Sequence, residues 1–322
     1  KTYSGGGLQP KFARGRGLME QDALAFQEKN HAALTSVIAA IGLTSLKIIV
    51  GVLTQSLGIL AEAAHSALDL VAALVTLLAV RVSGKPADRE HNYGHGKIEN
   101  LSALFETLLL LATCAWIIYE AIQRLFYKPV EVEPSIWAFL VMGISIVIDY
   151  SRSRVLYRAA RKHNSQALEA DALHFSTDIW SSSVVIVGLF FVLIAEKVPS
   201  LSFLHKADAV AALGVALIVI YVSLELGYRT IQSLLDTAPK GLADKIKQAV
   251  ETVPGVQDCH NIRVRHSGPL LFVDVHITTD GNKTLQDAHD LTEQVEEVVR
   301  QLASGADVTV HPEPADAPGN FS

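Results

Sequence analysis

The apolar residues of this chain fall into six blocks, roughly 32–53, 57–82, 99–125, 136–156, 170–195 and 207–228. Each is near the length of about 20 residues with which a helix crosses a bilayer. Inside hydrocarbon the backbone has to satisfy its own hydrogen bonds, so runs of this kind fold as helices. Composition alone would not have said so, because 50% hydrophobic and 19% charged also suits a soluble protein. The concentration into blocks decides the class. The expected architecture is an α-helical membrane protein with six transmembrane helices over residues 30–235 and a C-terminal cytoplasmic α/β domain over 236–313, flanked by tails at 1–29 and 314–322.

Two of the blocks carry the same polar spacing. His65 and Asp69 lie within SLGILAEAAHSALDLVAALVTLLAV, and His174 and Asp178 within ADALHFSTDIWSSSVVIVGLFFVLIA. Ionisable groups at membrane depth are costly and mark functional paths. Residues four apart share one helix face, so each pair points an imidazole nitrogen and a carboxylate oxygen the same way. Two such helices facing each other supply four donors, a zinc-type tetrahedral set. Polar residues that merely hold helices together explain one such pair well, and two identical pairs poorly. Asp171, one turn before His174, fits both a carboxylate that orients the imidazole and an ordinary acid near a helix start. Lys47 in the first block either snorkels or finds a structural partner.

Orientation follows the positive charges. Arg81, Lys85, Arg89 and Lys97 follow the second block, and Arg152, Arg154, Arg158, Arg161 and Lys162 follow the fourth. The turn at 53–57 has neither Lys nor Arg, and the few cations near 126–135 and 196–206 are offset by Glu131, Glu133 and Glu196. Both termini are therefore expected in the cytoplasm. Residues 1–18 read as a tail, an expression remnant with Met19 as the natural start. Cys114 and Cys259 fall in different parts of the chain, so no disulfide framework is expected.

After the sixth block, 236–240 reads as a linker. Leu242, Ile246, Ala249 and Val253 then recur at helical spacing up to Pro254-Gly255. Alternation follows around Ser267-Gly268-Pro269, with Leu271, Val273, Val275 and Ile277 on one side and Phe272, Asp274 and His276 on the other. Thr284 with Asp287 reads as a capping box opening a second helix, and a last strand covers about 307–311. The order α-β-β-α-β predicts a ferredoxin-like sheet with helices on one face. Five histidines, His260, His266, His276, His289 and His311, lie in this domain. Singly, each is an ordinary surface histidine; as a set, most of them fit one metal cluster at a sheet edge. In the loop DREHNYGHGKIEN, Asp88, His91 and His95 fit a three-ligand site and a solvated loop equally.

Together the six blocks, the two intramembrane pairs, HNYGHGKIE, EADALHFSTD and the α/β tail resemble the cation diffusion facilitator family, on its bacterial zinc and ferrous-iron efflux pump branch. The likeness runs from about residue 30 to 313. It implies a transport site of His65, Asp69, His174 and Asp178, a loop site of Asp88, His91 and His95, and a tail site of His260, His276, His289 and His311 joined by Glu313. It also implies a homodimer associating through the cytoplasmic domains, with Lys97 and Asp236 as a charge pair that locks the subunits, and a place in the bacterial inner membrane. Two positions depart from that branch, which has Asp where His65 and Glu313 stand here. His65 is closer to the zinc-selective members of the family.

The chemistry supplies a mechanism without the name. Histidine binds metal only when neutral and titrates near physiological pH, so protons arriving from outside displace the ion and the ligands reload on the cytoplasmic side. The expected function is zinc/proton antiport by alternating access, exporting a divalent ion. Zn2+ is substrate and structural ion; Co2+, Cd2+ and Fe2+ also suit the donors. Protons, metal ions and the bilayer are the expected partners, and no nucleic acid. A metal sensor anchored by its membrane part needs neither six spans nor two ligand pairs. An intramembrane metalloprotease needs a general base such as Glu62 beside the ion, but no His-Glu-x-x-His occurs, so no enzyme is expected.

Overall fold

The computed structural model describes residues 9–126, 136–197 and 207–315. The charge balance of the connections near 126–135 and 198–206, and the tail beyond Ala315, lie outside the described residues. The chain divides into two compact units, one of 21–85 with 98–231, the other built mainly from 86–97 and the residues after 232.

The first unit is helical: α1 (Gln9–Thr54), α2 (Leu57–Ser83), α3 (Lys97–Phe126), α4 (Ile136–His163), α5 (Gln166–Lys197) and α6 (Ala207–Leu234). Its packing is inverted relative to a water-soluble bundle. Ala33, Ala72, Ala73, Ala103, Ala167 and Ala170 are buried, whereas Ile48, Ile49, Leu74, Leu78, Leu217 and Ile218 are exposed. Small residues inside let helix backbones approach closely, and large apolar ones outside suit a lipid solvent. Ala23–Thr54, Glu62–Ser83, Lys97–Gln123 and Leu213–Leu234 are long and apolar enough to cross a bilayer. The described parts of α4 and α5 do not reach that mark, so six spans remain an expectation.

Local signals set the helix ends. Ser56 caps α2, its Oγ accepting from the Ile59 amide at 3.4 Å. Between α4 and α5, Asn164 adopts a left-handed conformation (φ 50°) and the Ser165 amide returns to the Ala160 carbonyl at 3.0 Å. Two expectations are corrected. Helix α1 begins at Gln9, inside the segment read as a tail: Pro10 is tolerated in a first turn, and the glycines that follow weaken a helix without forbidding it. The cations 158–162, read as a loop, prolong α4.

The second unit holds α7 (Leu242–Val250), β1 (Asp258–Ser267), β2 (Leu270–Thr279), α8 (Leu285–Leu302) and β3 (Asp307–Pro314). The sheet order is β1-β2-β3, with β1 antiparallel and β3 parallel to β2. This is the predicted αββαβ pattern. Val273, Val275 and Ile277 pack with Leu291, Val295 and Val299 of α8 in one core, so Phe272, Asp274 and His276 take the opposite face. The capping box forms, and hydrogen bonds from the Thr284 hydroxyl and amide hold the Asp287 carboxyl below its usual range.

The loop 86–97 belongs to this unit. Tyr93 meets Phe272 edge-on at 5.2 Å, and the Arg265 guanidinium lies 3.7 Å from the centre of the Tyr93 ring. At the β1–β2 turn Gly268 has φ +60°, and a Cβ there would come within 2.3 Å of the Gly96 carbonyl oxygen. A Cβ on Gly96 would meet the Ser267 carbonyl oxygen at 2.1 Å. Only glycine fits on either side of this contact.

Candidate metal centres

Helices α2 and α5 bring their four polar residues to one point. His174 Nε2 lies 3.1 Å from Asp69 Oδ1 and 3.7 Å from Asp178 Oδ2, and His65 Nε2 lies 3.8 Å from both Asp69 Oδ1 and Asp178 Oδ1. Donors in a tetrahedron around an ion at 2.0–2.1 Å stand about 3.4 Å apart, so the observed spacings bracket that figure. His174, Asp69 and Asp178 are largely buried, while the His65 side chain is 41% exposed. The cluster opens on a cavity of about 680 Å3 whose wall also carries Lys47, Glu62, Ser66 and Asp149.

The surroundings differ from the sequence reading in three places. Lys47 does not snorkel; its Nζ donates to Ser66 Oγ at 2.8 Å and to Glu62 Oε2 at 3.3 Å. Asp171 does not hydrogen-bond His174. Its Oδ2 accepts from Ser36 at 3.3 Å, and His174 Nδ1 has no partner among the described residues. Arg152, counted among loop cations, is buried in α4 against Asp149 at 3.1 Å. Its i,i+3 spacing within an apolar run was the signal available for this pair. A second buried pair was also missed: Lys29 Nζ donates to Glu99 Oε1 at 2.7 Å, Ser83 Oγ donates to the same oxygen at 2.8 Å, and Ser165 donates to Oε2. Its members come from separate helices, so no spacing announces it.

In the loop, Asp88 Oδ1 accepts from the amides of Glu90 at 2.9 Å and His91 at 2.7 Å. These bonds, that from His91 foremost, hold the Asp88 carboxyl below its usual range. The same carboxylate lies 3.3 Å from His91 Nδ1 and 3.4 Å from His95 Nε2. All three donors fall within 4.8 Å of one another, a spacing that could hold an ion.

In the soluble unit, sheet register does the gathering. His260 pairs with His276 across β1 and β2, and His276 with His311 across β2 and β3. The final strand runs past His311 to Pro314, which places Glu313 on the same face two residues on. Glu313 Oε1 lies 2.8 Å from His276 Nδ1 and 3.8 Å from His311 Nε2, and its Oε2 lies 3.2 Å from His260 Nε2. The bond to His276 lowers the Glu313 pKa below its usual value. His289 is not brought to this cluster. It stands on α8, which packs on the other face of the sheet, and its Nε2 lies 3.3 Å from Glu293. Lys97 and Asp236, expected as a lock between subunits, pair within the chain at 2.9 Å.

Comparison with known proteins agrees with this geometry. The family model described as the cation efflux transmembrane domain matches residues 33–235, and that of the cation efflux protein cytoplasmic domain matches 238–315. The Cation-efflux pump FieF of Cronobacter sakazakii is 34% identical over 91% of this chain and 95% of its own length. Its namesake from Klebsiella pneumoniae is 33% identical over 89% and 93%. A solved structure titled MamM CTD matches at 28% identity over 23% of this chain and 95% of that one, with a TM-score of 0.22, too low to say anything of the fold. With both family models matched in order and FieF relatives aligned along nearly the whole chain, this protein belongs to the cation diffusion facilitator family, as an integral membrane cation efflux transporter and not an enzyme.

Proposed function

We propose that the chain exports zinc from the cytoplasm of a bacterial cell in exchange for protons, through the site formed by His65, Asp69, His174 and Asp178. The observation that carries this reading is the set of donor spacings, 3.1 to 3.8 Å between two helices. Two imidazoles and two carboxylates suit a borderline cation held by four ligands, and disfavour magnesium and calcium, which take six or more oxygens. Cobalt, cadmium and ferrous iron are secondary substrates. Protons drive the cycle by competing for the imidazoles, which bind metal only when neutral. The domain scheme of the proposal has six spans over 30–235, a metal-binding domain over 236–313 and both termini in the cytoplasm of the inner membrane. The match to the cytoplasmic-domain family supports assembly as a homodimer. In that dimer Lys97 with Asp236 fixes the subunit arrangement.

Purified protein in sealed vesicles tests the reading. A panel of zinc, cobalt, cadmium, iron, manganese and nickel should show zinc transported fastest, driven by an opposing proton gradient and slowed when a protonophore collapses it. Zinc flux indifferent to the gradient would overturn the antiport. A protein that binds zinc but moves none would be a sensor instead.

The soluble unit has its own core, so its metal reading is separable. His260, His276, His311 and Glu313 hold a structural ion in this proposal, and Asp88, His91 and His95 a more exchangeable one. Binding to the folded form alone stabilises it by about 2.7 kcal/mol at a hundredfold excess over Kd. The fragment 237–315 should therefore melt higher with zinc and lose that shift in His276→Ala with His311→Ala. A melting temperature indifferent to saturating zinc would make these ordinary surface residues.

A further inference from the structure

Helix α4 carries an ion pair that the four-donor cluster does not use. Arg152 is 6% exposed and is held from three helices. Its Nη1 donates to Asp149 Oδ1 at 3.1 Å, Nε and Nη2 donate to Ser36 Oγ of α1 at 3.4 and 3.2 Å, and the guanidinium lies 3.4 Å from the centre of the Phe175 ring of α5. Phe175 in turn meets the His174 ring edge-on, with centroids 5.5 Å apart. A buried charge is retained only where it is paired and hydrogen-bonded, and both conditions hold here. Arginine suits the task because it keeps its charge at any accessible pH and its planar fork fixes a carboxylate geometrically.

The partner of this cation matters more than the cation. Asp149 lines the same cavity as His65, Asp69 and Asp178. A carboxylate on that wall is an additional oxygen donor within the space the metal enters. Four N/O donors in a tetrahedron suit zinc, whereas added carboxylate oxygens favour larger, harder ions such as manganese, which accept six ligands.

We infer that Arg152 is a specificity-determining positioning residue: by fixing Asp149 in an ion pair on the cavity wall, it keeps that carboxylate out of the metal's coordination sphere and favours four-coordinate zinc over ions that take more oxygen ligands. The inference rests on the transport-site reading above. Discrimination here comes from withholding a ligand as much as from supplying four.

The test uses the full chain in vesicles, with zinc and manganese fluxes measured separately and in competition. Arg152→Gln should raise the manganese-to-zinc flux ratio roughly tenfold, the scale of one partly screened charge interaction beside a binding site. Adding Asp149→Asn to that variant should return the ratio to the wild-type value, a rescue that a merely structural arginine would not give. Arg152→Lys keeps the charge and is the gentler substitution should the glutamine variant fail to fold. It loses the fork, so the ratio should rise about threefold and fall back when Asp149→Asn is added. A folded Arg152 variant with the wild-type ratio overturns the inference, as does a raised ratio that persists without the Asp149 carboxylate. Asp178→Ala in the same vesicles separates the two levels of argument. Zinc flux lost there, with the ratio unmoved in Arg152→Gln, sinks this inference and leaves the transport site standing; zinc flux retained there sinks both.

Discussion

Asp69→Ala and Asp178→Ala should each reduce zinc transport by more than about 100-fold while the protein still folds. Loss of a residue that only orients a ligand already costs ten- to a hundredfold in metal affinity or activity, and these two carboxylates are donors themselves in the proposed site. Asp69 stands at the centre of the geometry, with its Oδ1 3.1 Å from His174 Nε2 and 3.8 Å from His65 Nε2. Its removal leaves two imidazoles and one carboxylate, with no second anion to neutralise a divalent ion. Flux assays in vesicles check transport, and a melting curve in detergent checks folding. Wild-type flux in both variants would remove the cluster from the permeation path.

Glu99→Ala should lower the melting temperature in detergent by roughly 10 °C or more. The Glu99 carboxylate is fully buried and satisfies Lys29 at 2.7 Å, Ser83 at 2.8 Å, and Ser165. Removing it leaves the Lys29 ammonium, itself 6% exposed, without its counter-charge. Breaking a buried pair from one side costs about 3–5 kcal/mol, and each kcal/mol moves the midpoint of a chain this size by roughly 2–4 °C. Replacing both members, Lys29→Leu with Glu99→Leu, should recover most of the loss, because an apolar pair of similar volume carries no uncompensated charge. Equal melting of Glu99→Ala and wild type would show that the pair contributes nothing to the helix assembly.

The sequence was most legible where one element carries the whole signal. The His65/Asp69 and His174/Asp178 spacings are readable because one helix face holds each pair. The Val273, Val275 and Ile277 alternation is readable because a strand has period two. Legibility ended where separate elements meet. His289 shares a residue type with His276 and His311, yet α8 lies on the opposite face of the sheet, a fact that depends on packing and not on counting. Glu313 joins the cluster because β3 runs beyond its apolar stretch, which propensity does not reveal. Arg152 was misread because a cation after an apolar block ordinarily marks a cytoplasmic loop; here Ser36, Asp149 and Phe175, on three helices, supply its compensation inside.

The glycine contact between Gly96 and the Ser267-Gly268 turn bears on how such proteins can be recombined. Backbone touches backbone there, with no room for a methyl group on either side, and Tyr93, Arg265 and Phe272 stack beside it. The soluble module is therefore discontinuous along the chain: residues 86–97, which sit between two membrane helices in sequence, travel with the sheet. A chimera cut only at residue 236 would pair one parent's loop with the other parent's hairpin. Grafts that carry both segments preserve the fit, and the same coupling makes the two stretches a single unit of inheritance when relatives diverge.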